Sequence, residues 1–218
     1  MPTSAELAEG REKLRSKALL VASCASGVVL FVSVFRWTLV EYLTPFLEPF
    51  FEMVVGAFFL AALIWSLVHL IRTWRRGLLV AVLPVLICLG AATIAVFVPF
   101  TALTTDFDFR FHYAARTAVV NDVLAGRYEN RIESRGARGD LIALPAHLSY
   151  LSTGGGEIVR QRQDRTLILF FSFRGVLDSF SGFVYSSDDL PPKNDDFGGQ
   201  FVEVSRLRKN WFWAASRN

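Results

Sequence analysis

Cysteine is nearly absent from this chain, and so are charges over long stretches. The 218 residues include two cysteines, Cys24 and Cys88, both inside apolar runs. A disulfide framework is therefore excluded for the polar C-terminal half, and both cysteines are interpreted as small buried hydrophobic residues. The net charge is small, +3, and no basic cluster interleaved with aromatic residues occurs. This composition argues against nucleic acid as a partner.

Charged residues are missing from three long apolar runs. The runs are 18–35, 54–71 and 78–100, and none contains Asp, Glu, Lys or Arg. Each is long enough to cross a hydrocarbon core of roughly 30 Å at about 1.5 Å per residue. We therefore predict three transmembrane helices within residues 18–100. The first is not expected to be a cleaved signal peptide, because its apolar region is long and no Ala-x-Ala site follows it.

Lys and Arg are scarce in the loop between the first two runs. Four basic residues precede the first run and three follow the second, whereas the intervening loop has one Arg and three Glu. Cytoplasmic loops carry the excess of Lys and Arg. We therefore expect residues 1–17 in the cytoplasm and residues 101–218 outside it. The setting expected is a multi-pass protein of a cell membrane, specifically a bacterial inner membrane.

The loop 36–53 is rich in aromatic residues. Pro45 and Pro49 are expected to prevent one continuous helix there, so the loop should form an interfacial segment. Small residues recur in the first run and favour close packing of the spans on each other, on a protein partner or in a homo-oligomer. The aromatic residues expected at the headgroups or under the outer domain are Trp37, Tyr42, Phe46, Phe50, Phe51, Trp211 and Trp213.

The C-terminal 118 residues hold fifteen basic and fourteen acidic residues. Asp106–Tyr113 alternates between polar and aromatic side chains, which predicts a half-buried strand, and a helix is predicted from there to Gly126. One helix and about six short strands favour a small α+β domain with a mainly antiparallel sheet. Further strands are predicted at 127–135 (where a helix would also pair the charges), 141–144, 157–163, 166–173, 179–187 and 200–208, with a short helix at 145–152.

The segment 170–187 is predicted to be a central β-hairpin, covered by the helix on one side. Its turn holds Arg174 and Asp178, and the favoured interpretation is a structural ion pair across that turn. Alternatively, Arg174 presents its guanidinium to an anionic group on a partner or lipid. Arg110 and His112, on the polar face of the first predicted strand, complete the set of candidate binding residues.

Oxygen and imidazole ligands occur in two groups that are weighed as metal sites. The first group lies on a predicted strand face and is interpreted as a solvated surface. The second lacks the spacing of a calcium loop and is interpreted as an exposed, mobile connection. No metal and no cofactor is therefore predicted. The groups are Asp106, Asp108 and His112, and then Asp188, Asp189, Asp195 and Asp196.

Motifs specific for an activity are missing. The run 154–156 lacks the Lys-Ser/Thr of a phosphate loop, and His147 with Ser149 lacks a G-x-S-x-G elbow. We expect a non-enzymatic membrane protein whose outer domain binds another protein or an envelope component, for example an immunity protein or accessory subunit. The alternative is a membrane-anchored enzyme acting on lipid or cell-wall material. A small-molecule sensor is a further alternative.

Overall fold

A computed structural model describes residues 4–74, 78–136, 139–175 and 179–217 of the chain. The chain divides into two compact units, Met1–Thr104 and Thr105–Asn218. The first unit is helical, and the second is built on an antiparallel sheet with one long helix. The predicted order of helices followed by an antiparallel sheet domain is confirmed at this level.

The helices α1, α2 and α3 are Ser4–Thr73, Leu78–Phe97 and Phe100–Leu124. Two stretches of α1, Ser16–Arg36 and Leu47–Thr73, are long and apolar enough to cross a membrane. Ala81–Phe97 and Phe100–Leu124 meet at a bend of 63° and provide a third candidate if they form one span. The described residues therefore include two helical stretches, or three if the bent pair is one span, with the length and composition of membrane spans.

The long helix α1 reverses its direction near its middle. Arg36 Nε lies 3.3 Å from Glu48 Oε1 and 2.9 Å from Glu52 Oε1. In a straight helix these partners would be separated along the axis by about 18 and about 24 Å, far beyond the reach of two side chains. The predicted break at Pro45 and Pro49 is wrong as secondary structure, because the helical backbone continues through both. The reversal nevertheless falls between Arg36 and Glu48, inside the predicted interfacial segment 36–53.

Small residues fill the interface between the arms of α1 and α2. Ser26 Oγ lies 3.5 Å from the Ile87 carbonyl, and Ser66 Oγ lies 4.0 Å from Cys88 Sγ, so both arms contact α2. Small side chains let helix backbones approach closely, as predicted for this region. Cys88 is buried as expected, but Cys24 is exposed, so that prediction is wrong for Cys24. The buried alanines are Ala18, Ala22, Ala25, Ala62, Ala81 and Ala91.

The second unit contains seven antiparallel strands in the order β1-β2-β3-β4-β5-β7-β6. The predicted short helix is confirmed as the 3₁₀ helix Ala146–Leu151. The predicted strand 127–135 is only partly correct, because a 3₁₀ helix, Glu129–Arg131, precedes β1. The strands are β1 Ile132–Gly136, β2 Gly139–Ala143, β3 Glu157–Arg162, β4 Thr166–Arg174, β5 Phe180–Ser186, β6 Phe201–Arg208 and β7 Trp211–Ser216.

The segment Asp106–Tyr113 is helical, and its prediction as a strand is wrong. It forms the middle of α3, where residues four apart share a face. Asp106 pairs with Arg110, and Asp108 with His112, each at 2.8 Å and each at this spacing. The alternation of polar and aromatic residues therefore coincides with a pattern of i,i+4 charge pairs that a helix satisfies.

The central strands of the sheet are apolar and buried on both faces. On one face, Phe109 and Val120 of α3 pack against a cluster that includes Phe170 and Phe183, as predicted for the helix. On the other face, Phe197 of the loop after β5 packs on the strands. Trp211 and Trp213 are 2% and 7% exposed, in β7, so their predicted position at headgroups or under the domain is wrong. The side chains of Trp37 and Phe46 lie outside the described residues.

The predicted hairpin is confirmed as β4 and β5. Phe170 lies opposite Phe183, and the pairing continues to Arg174 opposite Phe180. Glycine is required at position 182, because a Cβ there would lie 2.1 Å from the Phe170 carbonyl oxygen. The two strands occupy the centre of the sheet, so their apolar side chains meet cover on both sides.

Candidate functional site

A buried arginine on α3 organises a polar cluster of the second unit. Arg116 is 2% exposed, and its Nη2 donates to Asp108 Oδ2 at 2.7 Å. Its Nε and Nη2 donate to the Leu151 carbonyl at 3.4 and 3.3 Å, which ties the 3₁₀ helix to α3. The guanidinium also lies 4.1 Å from the centre of the Phe183 ring. Burial lowers the pKa of Arg116, while Asp108 opposes this by favouring the charged form.

Asp108, His112 and Arg116 share one helical face because they are spaced by four residues. His112 Nδ1 lies 2.8 Å from Asp108 Oδ1, and the His112 ring centre lies 5.2 Å from that of Tyr150. The Asp108 side chain is 41% exposed and that of His112 is 23% exposed, so solvent reaches the pair. A carboxylate holding one imidazole nitrogen leaves the other free to transfer a proton. An imidazole held by a carboxylate is a type of group that acid–base catalysis uses.

The structure separates the candidate residues that the sequence placed together. Asp106 pairs with the exposed Arg110 instead of joining Asp108 and His112. Arg116 occupies one oxygen of Asp108 and His112 the other. Among the described residues, no group of three or more His, Cys, Asp or Glu side chains could hold a metal ion. Arg116 was not predicted as a site residue, although its spacing from His112 was a usable signal.

Arg174 forms an ion pair with a residue that the sequence did not suggest as its partner. Its Nη1 lies 2.6 Å from Glu157 Oε2 on β3. Asp178, its predicted partner, lies outside the described residues. Glu157 also hydrogen-bonds Glu133, and this bond is the main reason that the pKa of the Glu133 carboxyl is raised. Arg174 is therefore part of a surface group with two carboxyls, and binding through it stays a prediction.

The aspartates of the loop after β5 are held by donors from the protein itself. Asp188 accepts from Ser186 Oγ at 2.6 Å, and this hydroxyl lowers the pKa of the carboxyl. Asp189 accepts from the Asn210 backbone N–H, which likewise lowers its pKa, and pairs with Arg206. Most residues of this loop are exposed, as predicted, although Phe197 packs on the sheet. The mobility of the loop stays a prediction. Asp196 accepts from Arg165 at 2.8 Å, and Asp195 from Gln200 Nε2 at 3.1 Å.

A second buried arginine, Arg160 on β3, joins three parts of the unit. Its Nη1 and Nη2 lie 2.6 Å from Glu129 Oε1 and 2.7 Å from Asp140 Oδ2. Burial alone would lower the pKa of Arg160, but the hydrogen bonds to Glu129 and Asp140 outweigh it and the pKa is raised. This cluster connects β2, β3 and the 3₁₀ helix before β1, and we interpret its role as structural.

The strand β6 forms one edge of the sheet and is exposed on both faces. Val202 is 65% exposed and Val204 is 38% exposed, and the residues between Val202 and Arg206 are all exposed. An edge strand presents backbone N–H and C=O groups to another chain. Exposure on both faces distinguishes β6 from the covered central strands β4 and β5, and its exposed valines share one face.

Comparisons with protein-family models, with curated proteins and with solved structures found no match for this chain. Two features of the second unit point to different kinds of activity. The exposed edge β6 favours a binding protein, because it offers a surface for another strand. The His112–Asp108 pair favours an enzyme, because it offers a positioned proton carrier.

Proposed function

We propose that the chain is a membrane-anchored binding protein whose second unit captures another protein by strand addition at β6. Support for the anchor comes from the burial pattern of the first unit, in which alanines are inside and large apolar side chains outside. A protein solvated by lipid needs no large apolar core, whereas one in water would hide these side chains. The exposed side chains include Leu20, Phe31, Phe58, Leu60, Ile64, Trp65 and Ile71.

The proposed orientation follows from charge. Lys and Arg are concentrated before the first apolar run and after the second. With the positive side in the cytoplasm, three spans leave residues 101–218 outside it. A reporter that works only after export, fused behind Asn218, is expected to be active. An active cytoplasmic reporter at the same position would reverse the orientation while leaving the binding proposal to its own test.

Exposure of β6 on both faces is the observation that carries the binding proposal. An added strand would pair with the free backbone edge, and the valine side chains would contact alternate side chains of the partner. Glu203 on the same strand supplies an exposed charge that can help to set the register. A protein of the cell envelope with an exposed strand is the partner class that fits.

Site-specific photo-crosslinking in intact membranes tests this proposal. A photoreactive residue at position 202 or 204 should capture a defined partner, and Val202→Lys or Val204→Lys should abolish the complex by placing a charge on the edge. Leu190→Lys is the matched control, because Leu190 is 52% exposed but lies in a loop. Equal capture from Gln163, in the exposed turn between β3 and β4, would contradict binding at β6.

The second candidate is a hydrolytic enzyme of the membrane surface, favoured by the His112–Asp108 distance of 2.8 Å. In this case His112 would activate water against an ester or amide of a lipid or cell-wall substrate. His112→Gln should then abolish release of product by the purified protein. His147→Gln, an exposed histidine on the 3₁₀ helix, is the control and should keep full turnover. Turnover that survives His112→Gln would remove this candidate.

A further inference from the structure

A cavity of about 330 Å³ lies wholly within the first unit, where the two arms of α1 meet the end of α2. This volume falls in the usual range for small-molecule sites, roughly 300–1,000 Å³. Most of the residues that line it are apolar, and the lining extends about 10 Å, two helical turns, from Arg36 towards Val29. The apolar wall residues are Val29, Val32, Val55, Ala95, Val98 and Pro99.

One end of this cavity is ionic. Arg36 and Glu52 line it, and Arg36 lies 2.9 Å from Glu52 and 3.3 Å from Glu48. The Arg36 side chain is 55% exposed and that of Glu52 is 36% exposed, so both can contact a bound molecule. Glu48 is more buried, at 14%. One guanidinium and one carboxylate thus line this end, and a second carboxylate, Glu48, lies behind Arg36.

We propose that this cavity binds one phospholipid with an ethanolamine headgroup, an inference that rests on the proposed membrane anchor. The Arg36 guanidinium would hold the phosphate, since its planar donors match phosphate oxygens. Glu52 would accept a hydrogen bond from the ammonium group, and Glu48 behind it would add negative charge. The beginning of an acyl chain would lie against the valine wall. Both halves of the amphiphile thus meet surfaces of matching chemistry.

The rim discriminates between headgroups. A choline group carries the same positive charge but has no N–H to donate, so Glu52 would lose its hydrogen bond. A glycerol headgroup leaves the phosphate without a positive partner charge, and the lipid is then repelled by the group of Arg36, Glu48 and Glu52, which has one more carboxylate than guanidinium. Ethanolamine lipids should therefore be preferred over choline and glycerol lipids with identical acyl chains.

Native mass spectrometry of the delipidated full chain tests the proposal. The probe is an equimolar mixture of phosphatidylethanolamine, phosphatidylcholine and phosphatidylglycerol with matched acyl chains. The expected result is one ethanolamine lipid per chain in clear excess over the other two adducts. Arg36→Gln should abolish the adduct, and Glu52→Gln should reduce the preference for ethanolamine over choline.

Filling the cavity provides the decisive variants. Gly56 lines it, and a side chain there would meet no atom within 4 Å, so Gly56→Leu should occupy the space and expel the lipid. Gly90→Leu is the matched control on α2, since it also has open space but does not line the cavity. Ala95→Leu is a second filling variant with the same expected loss, should Gly56→Leu disturb the helix.

The possible results separate this proposal from the membrane anchor itself. Resistance to alkaline extraction from membranes reports insertion for every variant and does not depend on a bound lipid. Insertion with equal adducts of all three lipids, or an adduct that survives both filling variants, would overturn the cavity proposal. Extraction of the parent chain at alkaline pH would instead overturn the anchor.

Discussion

The first unit buries small side chains and exposes large apolar ones, whereas the second unit buries large apolar side chains. In the first unit, Ala22, Ala25 and Cys88 are completely buried while Ile71 is 78% exposed. In the second unit, Phe170 is completely buried and Trp211 is 2% exposed. Large apolar side chains go inside where the solvent is water, because their burial contributes most to stability. The inverted pattern of the first unit is the one expected of helices surrounded by lipid.

The units also differ in how they satisfy buried polar groups. In the first unit the hydroxyls of Ser33 and Ser66 donate to carbonyls four residues earlier in the same helix, at 2.9 and 2.8 Å. In the second unit the partners are distant in sequence, as for Arg116 with Leu151. In an apolar medium a helix can satisfy the hydrogen bonds of its polar groups internally. A sheet domain instead uses buried polar contacts to join separate elements.

The largest expected effect comes from removing the same side chain in both units. Phe183 is 1% exposed and Phe58 is 50% exposed. Phe183→Ala should lower the free energy of unfolding of the second unit by about 3–5 kcal/mol, because it leaves a cavity. Phe58→Ala should leave the first unit almost unchanged in detergent. Pulse proteolysis at increasing urea measures both, and equal losses would remove the contrast between the units.

The buried arginine gives the next largest effect. Asp108→Asn removes the charged acceptor of Arg116 and should destabilise the second unit by about 1.5–3 kcal/mol. Asp106→Asn is the matched control two residues away, because Asp106 pairs with the 76% exposed Arg110 and should cost no more than about 1 kcal/mol. Urea denaturation of the purified chain provides the comparison. Equal costs would mean that Arg116 does not need its carboxylate.

Replacing a buried alanine by a larger residue tests whether the helices of the first unit are closely packed. Ala62 is 3% exposed, whereas Ala57 on the same helix is exposed. Ala62→Leu should destabilise the packing of the helices by about 1–3 kcal/mol through overpacking, and Ala57→Leu should be near neutral. Loss of helical circular dichroism on heating in detergent is the measurement. A stabilising Ala62→Leu would indicate a loose interface instead of close packing.

Composition and alternation were enough to predict much of this architecture. Charge-free runs identify the apolar helices, and alternation with turn residues identifies β3 to β6. The segment Asp106–Tyr113 was misread because its period of two also places charges at i,i+4, and nothing local decides between the patterns. β7 escaped prediction because its aromatic residues were ascribed to a membrane interface.

The polar cluster was less accessible to sequence reasoning than the fold. Arg116 contacts the Leu151 carbonyl, 35 residues away, and the site exists only because the 3₁₀ helix packs beside α3. The pair Arg174–Glu157 likewise depends on strand pairing across 17 positions. Residue types alone indicated candidates, but their partners are determined by tertiary packing.

The smallest expected effect is a difference in pH dependence between two carboxyls of the second unit. The pKa of Asp189 is lowered in the folded state, so its contribution to stability is present above its unfolded value of about 3.9. That contribution is lost as the pH falls through the folded value. Asp189→Asn should therefore be less stable than the parent at pH 7, and the two should converge in acid.

The pKa of Glu133 is shifted in the opposite direction from that of Asp189, within the same unit. Its pKa is raised, mainly by the hydrogen bond with Glu157, so its contribution is present below its unfolded value of about 4.3 and is lost as the pH rises through the folded value. Glu133→Gln can still donate to Glu157 at pH 7 and should be slightly more stable than the parent there, again converging in acid. Denaturant unfolding from pH 3 to 7 tests both variants. If the two curves run parallel to that of the parent, neither carboxyl is linked to folding, and the surface pairs of the second unit contribute as little as those between exposed charges generally do.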